Sequence, residues 1–112
     1  MDRGNMVLVA CVIESGAFSG ERVFRLRLAD GTDYSGVTPA HYCLDKERRV
    51  LARDQPQKGE RIEGYILAFL VSNGGDQAIV ELPNGEAVEV PASQVPFRQA
   101  QDREAQYVPL GS

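Results

Sequence analysis

Tryptophan is absent from this chain, histidine occurs once and cysteine twice, and no apolar run is long enough to cross a bilayer. Each shortage narrows what the protein can be. With a single imidazole, any hydrolytic or thiol chemistry has to run through His41, with Cys43 or Asp45 beside it. In an extended segment His41 and Cys43 would point the same way. A small enzyme using His41 and Cys43 is therefore one reading, and a corner residue after Pro39 is the simpler one. Cys11 and Cys43 show no C-x-x-C or Cys/His spacing, which removes disulfide frameworks and zinc sites and leaves two reduced thiols. The aspartates at 30, 33, 45 and 54 lack the spacing of an EF-hand loop. Glycines 16, 20, 74 and 75 sit between strand patterns and open no helix, so a phosphate loop is missing as well. Neither metal nor cofactor is expected. Residues 6–13 and 65–71 are both too short for a membrane span, and no cleavable leader pattern is visible. The expectation is a cytoplasmic protein without membrane contact.

What the chain does have is a pattern that occurs twice. Residues 24–39 and 78–91 each run as an alternating apolar strand, a turn (Asp30-Gly31 or Asn84-Gly85), a second strand and a proline. Asp-Gly and Asn-Gly readily take the positive φ values of a two-residue type I′ turn, whose twist suits the flanking strands. The repeat predicts a small all-β barrel of six or seven strands, OB-like or SH3-like, built from two similar β-meanders.

Strands are expected over residues 6–14, 22–29, 33–37, 62–71, 77–82 and 86–90. The first is apolar on both faces and should be covered on both. Phe24, Leu26 and Leu28 should point inward, with Arg25 and Arg27 outward. Residues 39–44 read as a helical turn or tight corner, which residues 91–95 mirror. The polar stretch 45–60 reads as a connector with at most a short strand at Val50-Leu51. One domain spans residues 1–97, with meanders at 6–44 and 61–97, and a polar tail at 98–112.

The net charge of −4 is unevenly spread. Residues 22–61 carry nine Lys/Arg against six acids, whereas residues 62–112 carry two against seven. An acidic second half argues against indiscriminate coating of nucleic acid. If the connector folds over the strand bearing Arg25 and Arg27, these would gather with Lys46, Arg48, Arg49, Arg53, Lys58 and Arg61. Phe18, Tyr34 and Tyr42 would offer stacking surfaces nearby. Arg25, Arg27, Arg48, Arg49 and Arg53 are then the candidate nucleic-acid contacts. The plainer alternative is that Arg25 and Arg27 meet acids across the hairpin as solvated pairs. Residues 66–71 are six apolar residues in a row, which something must cover. Ile66, Phe69 and Leu70 are the candidates for self-association.

Gly59, Gly64, Ile66, Ala78, Val80, Leu82, Gly85 and Ser93 fall where an S-one-type RNA-binding repeat keeps comparable residues. The second half of the chain resembles that OB-fold family over about a third of the sequence. The family's aromatic Phe-Gly-Ala-Phe surface is replaced by Asn73-Gly74-Gly75-Asp76-Gln77, and its corner histidine is missing. The resemblance therefore implies the fold more than RNA binding. The expected function is a non-enzymatic binding module, whose partner is another protein or a second copy. Binding of RNA or single-stranded nucleic acid through the basic face is the alternative.

Overall fold

The computed structural model describes residues 6–96. It is all-β: seven strands curl into a half-barrel compatible with an OB-like fold. The strands are β1 (Met6–Ser15), β2 (Glu21–Arg27), β3 (Asp33–Pro39), β4 (Cys43–Leu44), β5 (Arg61–Asn73), β6 (Gln77–Glu81) and β7 (Ala87–Pro91). Their order across the sheet is β3-β2-β1-β5-β6-β7, all neighbours antiparallel, with β4 paired to β5. Each meander is thus a consecutive set of three strands, and the halves join where β1 pairs with β5 from Met6↔Phe69 to Glu14↔Arg61.

Alternation explains which face each strand buries. Val7, Val9, Cys11 and Ile13 of β1 enter one interior cluster with Phe24, Leu26, Ile66, Ala68, Val80 and Val90. Burying each large member stabilises the fold by roughly 1.5–3 kcal/mol. Leu8, on the opposite face of β1 from Val7, is also fully buried, but Ala10 and Val12 on that same face are only half-buried, so the expected double cover holds at one end of the strand. The 45–60 connector holds one isolated bridge, Leu44↔Val50, and the Gln55–Pro56 peptide bond is cis. The tail at 98–112 lies outside the described residues.

The turns differ from the two-residue type I′ form expected. Gly31 N donates to Leu28 O, and Leu28 N to Thr32 O, which closes a three-residue loop of Ala29-Asp30-Gly31. The second hairpin repeats this: Gly85 N bonds Leu82 O and Leu82 N bonds Glu86 O, around Pro83-Asn84-Gly85. In each loop only the glycine has positive φ, 92° in both, so Asp30 and Asn84 avoid the left-handed region that type I′ would impose. Their side chains instead accept the amide two residues on, Thr32 N at 2.9 Å and Glu86 N at 3.1 Å. The Thr32 bonds also hold the Asp30 carboxyl below the usual range. After the second strand, Pro39 and Pro91 share one conformation (φ −61°, ψ 145°), and each leads into a single 3-10 turn.

The two halves lock at their tips. Ala29 N in the first loop donates to Glu89 O of β7, and Asn84 Nδ2 in the second donates to the Tyr34 hydroxyl of β3. Gly64 has a separate duty. It faces Cys11 of β1, and a Cβ there would collide with the Leu44 carbonyl, with the Leu44 carbonyl carbon 3.2 Å away. Strand β4 packs this closely because residue 64 has no side chain. Gly64→Ala is therefore expected to destabilise by roughly 1–3 kcal/mol or more in urea unfolding. Gly20→Ala, which meets open space, should stay within about 0.5 kcal/mol of the parent.

Candidate functional site

Two concave surfaces lie on opposite ends of the predicted basic set, which the fold divides. The first is a groove of about 460 Å³ on the outer face of β1, β2 and β5. Its floor includes Ala10, Val12, Gly64 and Tyr65, and Gln94 borders it, donating from Nε2 to the Ala10 carbonyl at 3.3 Å. Arg25, Arg27 and Lys46 stand on its rim with Asp33 and Glu63.

These rim cations are paired. Arg27 Nε donates to Asp33 Oδ1 at 3.0 Å, and Lys46 Nζ lies 3.2 Å from Glu63 Oε1. Arg25 Nη2 is 3.5 Å from Glu14 Oε2, an oxygen it shares with Arg61 Nε at 3.3 Å. Arg25 is the least tightly held: its Nη1 contact to Ser35 Oγ is 3.2 Å, and its Nε is buried without a hydrogen-bond partner. The expectation of solvated cross-hairpin pairs thus describes Arg27 with Asp33 directly.

The other predicted cations go elsewhere. Arg49 stays within its own turn, 3.8 Å from both Asp45 and Glu47 carboxylates. Arg48 occupies the left-handed position of that turn, with φ 69°. The Asp45 side chain accepts the Glu47 and Arg49 amides and so shapes it. Arg53 lines the second concavity, a cleft of about 390 Å³ between the loop at residues 16–19 and the connector at 53–58. Lys58 and Arg22 line it too. The eight predicted cations therefore do not line one concavity: Arg25, Arg27 and Lys46 line the groove, and Arg53 and Lys58 the cleft.

Arg22 was absent from the predicted site, although its signal was there. Period two puts it on the same face as Phe24 and Leu26, and it is buried with them. The guanidinium is held by four backbone carbonyls: Nε to Gln55 at 2.8 Å, Nη1 to Ser19 at 2.8 Å and Glu21 at 2.7 Å, and Nη2 to Arg53 at 2.8 Å. Tyr65 and Gln94 were also missed, and there the sequence carries no signal, because only the curl of the sheet brings β5 and the Ala92–Gln94 turn beside β1 and β2.

The self-association candidates separate by face. Ile66 is fully buried in the interior and out of a partner's reach, and Leu70 packs against the same cluster. Phe69 lies on the outer face at 43 % exposure, paired in register with Met6, and Val71 follows at the bulge between Leu70 and Ser72.

His41 and Cys43 sit in different environments. The corner is a 3-10 turn rather than extended chain, so His41 lies exposed against the Tyr42 ring (centroids 4.5 Å apart) while Cys43 is fully buried. Burial pushes the Cys43 thiol up to about 11, with the Arg22 charge pulling the other way. Cys11 is raised further, by burial and then by Cys43 nearby. Both cysteines are free. No group of three His, Cys, Asp or Glu suited to a metal occurs among the described residues.

Because the folded state favours the neutral thiol, Cys43 contributes stability that is full below its ordinary value of 9.0 and is lost as pH rises through about 11. Denaturation midpoints should fall across that window, and Cys43→Val should flatten the fall. Val95 already occupies the matching place after Pro91, four residues on, and is buried. Thiol labelling of the native protein at pH 8 should be at least tenfold slower than in denaturant; equal rates would contradict burial. Comparison with protein-family models, with curated proteins and with solved structures finds no match, so the reading of function rests on the geometry above.

Proposed function

We propose that this protein is a non-enzymatic binding module that works through protein contacts on the outer face of the β1–β5 pair. The observation that supports this reading most is the pairing of the groove's cations. Arg25, Arg27 and Lys46 each have a carboxylate within 3.5 Å, and because Arg61 shares Glu14 with Arg25 the surface keeps an excess of one positive charge, a weak field for a polyanion. Exposed pairs of this kind are worth only about 0–1 kcal/mol each, so a partner's charges can replace them at small cost. A rim of paired charges over an apolar floor suits a polypeptide. At the far end of the same strand pair, Met6, Phe69 and Val71 extend the apolar contact area. Two buried free thiols fit a cytoplasmic setting.

Self-association is the form of this reading to test first. Sedimentation of the full chain from micromolar to near-millimolar concentration should show a rising mass, and Phe69→Glu should return it to monomer with an unchanged circular dichroism spectrum. A monomer at every concentration would remove self-assembly and leave a heterologous partner. Fluorescence anisotropy with single-stranded RNA and DNA is expected to show no binding at physiological salt. Binding that persists there, and weakens on Arg25→Ala and Arg27→Ala, would overturn the protein reading.

A further inference from the structure

Arg22 and Thr38 are directly paired across β2 and β3, and they are the two buried polar residues among those described. The same place in the second hairpin, one pair inward from the proline, holds Ala78 and Val90. The two copies therefore diverge at this pair, one keeping an apolar contact and the other burying a cation. Carbonyl dipoles take four of the five N–H groups of the Arg22 guanidinium but leave its charge without a carboxylate among the described residues. Arg22 also ties down the connector, since the Arg53 and Gln55 carbonyls are two of its acceptors.

The cleft beside it collects more positive charge. Arg53 and Lys58 line it with Arg22, against one acid, Asp54. That is a local excess of two positive charges in a chain whose net charge is −4. On the rim stands Phe18, 71 % exposed. A lone exposed phenylalanine means little, but beside a cationic cleft it supplies a flat face for a ring to stack on. The volume, about 390 Å³, falls in the range of small-molecule sites, roughly 300–1,000 Å³. None of the cleft's residues lines the outer-face groove.

We propose that this cleft binds a phosphate monoester joined to a planar ring, as in a nucleoside monophosphate. The phosphate dianion sits between Arg53 and Lys58, in the field of the buried Arg22, and the ring lies against Phe18. Arg22 is a positioning residue here, since it holds the connector that carries the two contacting cations. The site is independent of the protein-contact face.

The test is an amide-resolved NMR titration of the full chain with adenosine and uridine 5′-monophosphates at constant ionic strength. Parallel titrations use inorganic phosphate and the free nucleosides. A nucleotide is expected to give saturable shifts at residues 16–19 and 53–58, at least tenfold tighter than phosphate or nucleoside alone. Arg53→Ala with Lys58→Ala should weaken it at least tenfold while leaving the rest of the spectrum in place. Phe18→Ala should weaken the nucleotide but not phosphate. No saturable shift with either nucleotide would overturn the proposal, as would shifts indifferent to the Arg53/Lys58 double variant. Equal affinity for phosphate and nucleotide would overturn the ring contact and leave a bare anion patch.

Discussion

The antiparallel ladder between β1 and β5, from Met6↔Phe69 to Glu14↔Arg61, joins residues far apart in the chain, and the remaining strands are placed by it. Neither meander is a closed body. Each presents one apolar edge strand whose backbone needs a partner, and the partner is the equivalent strand of the other half. The ladder also brings Val7, Val9 and Cys11 against Ile66 and Ala68, so hydrogen bonding and core burial form in one event. A contact of this sequence separation closes late and slowly compared with the hairpins on either side. Gly64 belongs to the same constraint. It lets β5 take β1 on one side and the short β4 on the other without a side chain in between.

The two halves repeat each other closely in backbone and differ in use. Their loops close with the same hydrogen bonds, their glycines share one φ, and their prolines turn the chain alike. At the first corner the chain continues through Cys43 and the connector, and Arg22 fastens that connector from below. The second copy has Ala78, paired with Val90, at that place. A buried cation is costly unless its hydrogen bonds are met, and here four carbonyls meet four of its five N–H groups.

Charge follows the same division. The cations that alternate along β2 find acids on β1 and β3, since antiparallel neighbours on one face stand within reach. Those of the connector split: Arg49 closes on its own turn, while Arg53 and Lys58 are carried to the opposite cleft. A chain with an overall negative charge thus keeps one surface where the cations are paired and another where Arg22, Arg53 and Lys58 face one acid.

Strand positions, the inward residues, the two corners and the doubled hairpin were legible in the sequence, because period-two alternation and Pro/Gly chemistry act within a few residues. The turn type was misjudged by one residue, since Asp-Gly and Asn-Gly serve a three-residue loop as well as a two-residue one and the strand register decides between them. The inward place of Arg22 was legible in the same alternation, though its carbonyl cage was not. Which charges meet, which face of residues 66–71 stays open, and that His41 is exposed while Cys43 is buried came only with the tertiary structure. Those facts depend on the curl of the sheet and the path of the connector, and both are set by contacts between residues far apart in the chain.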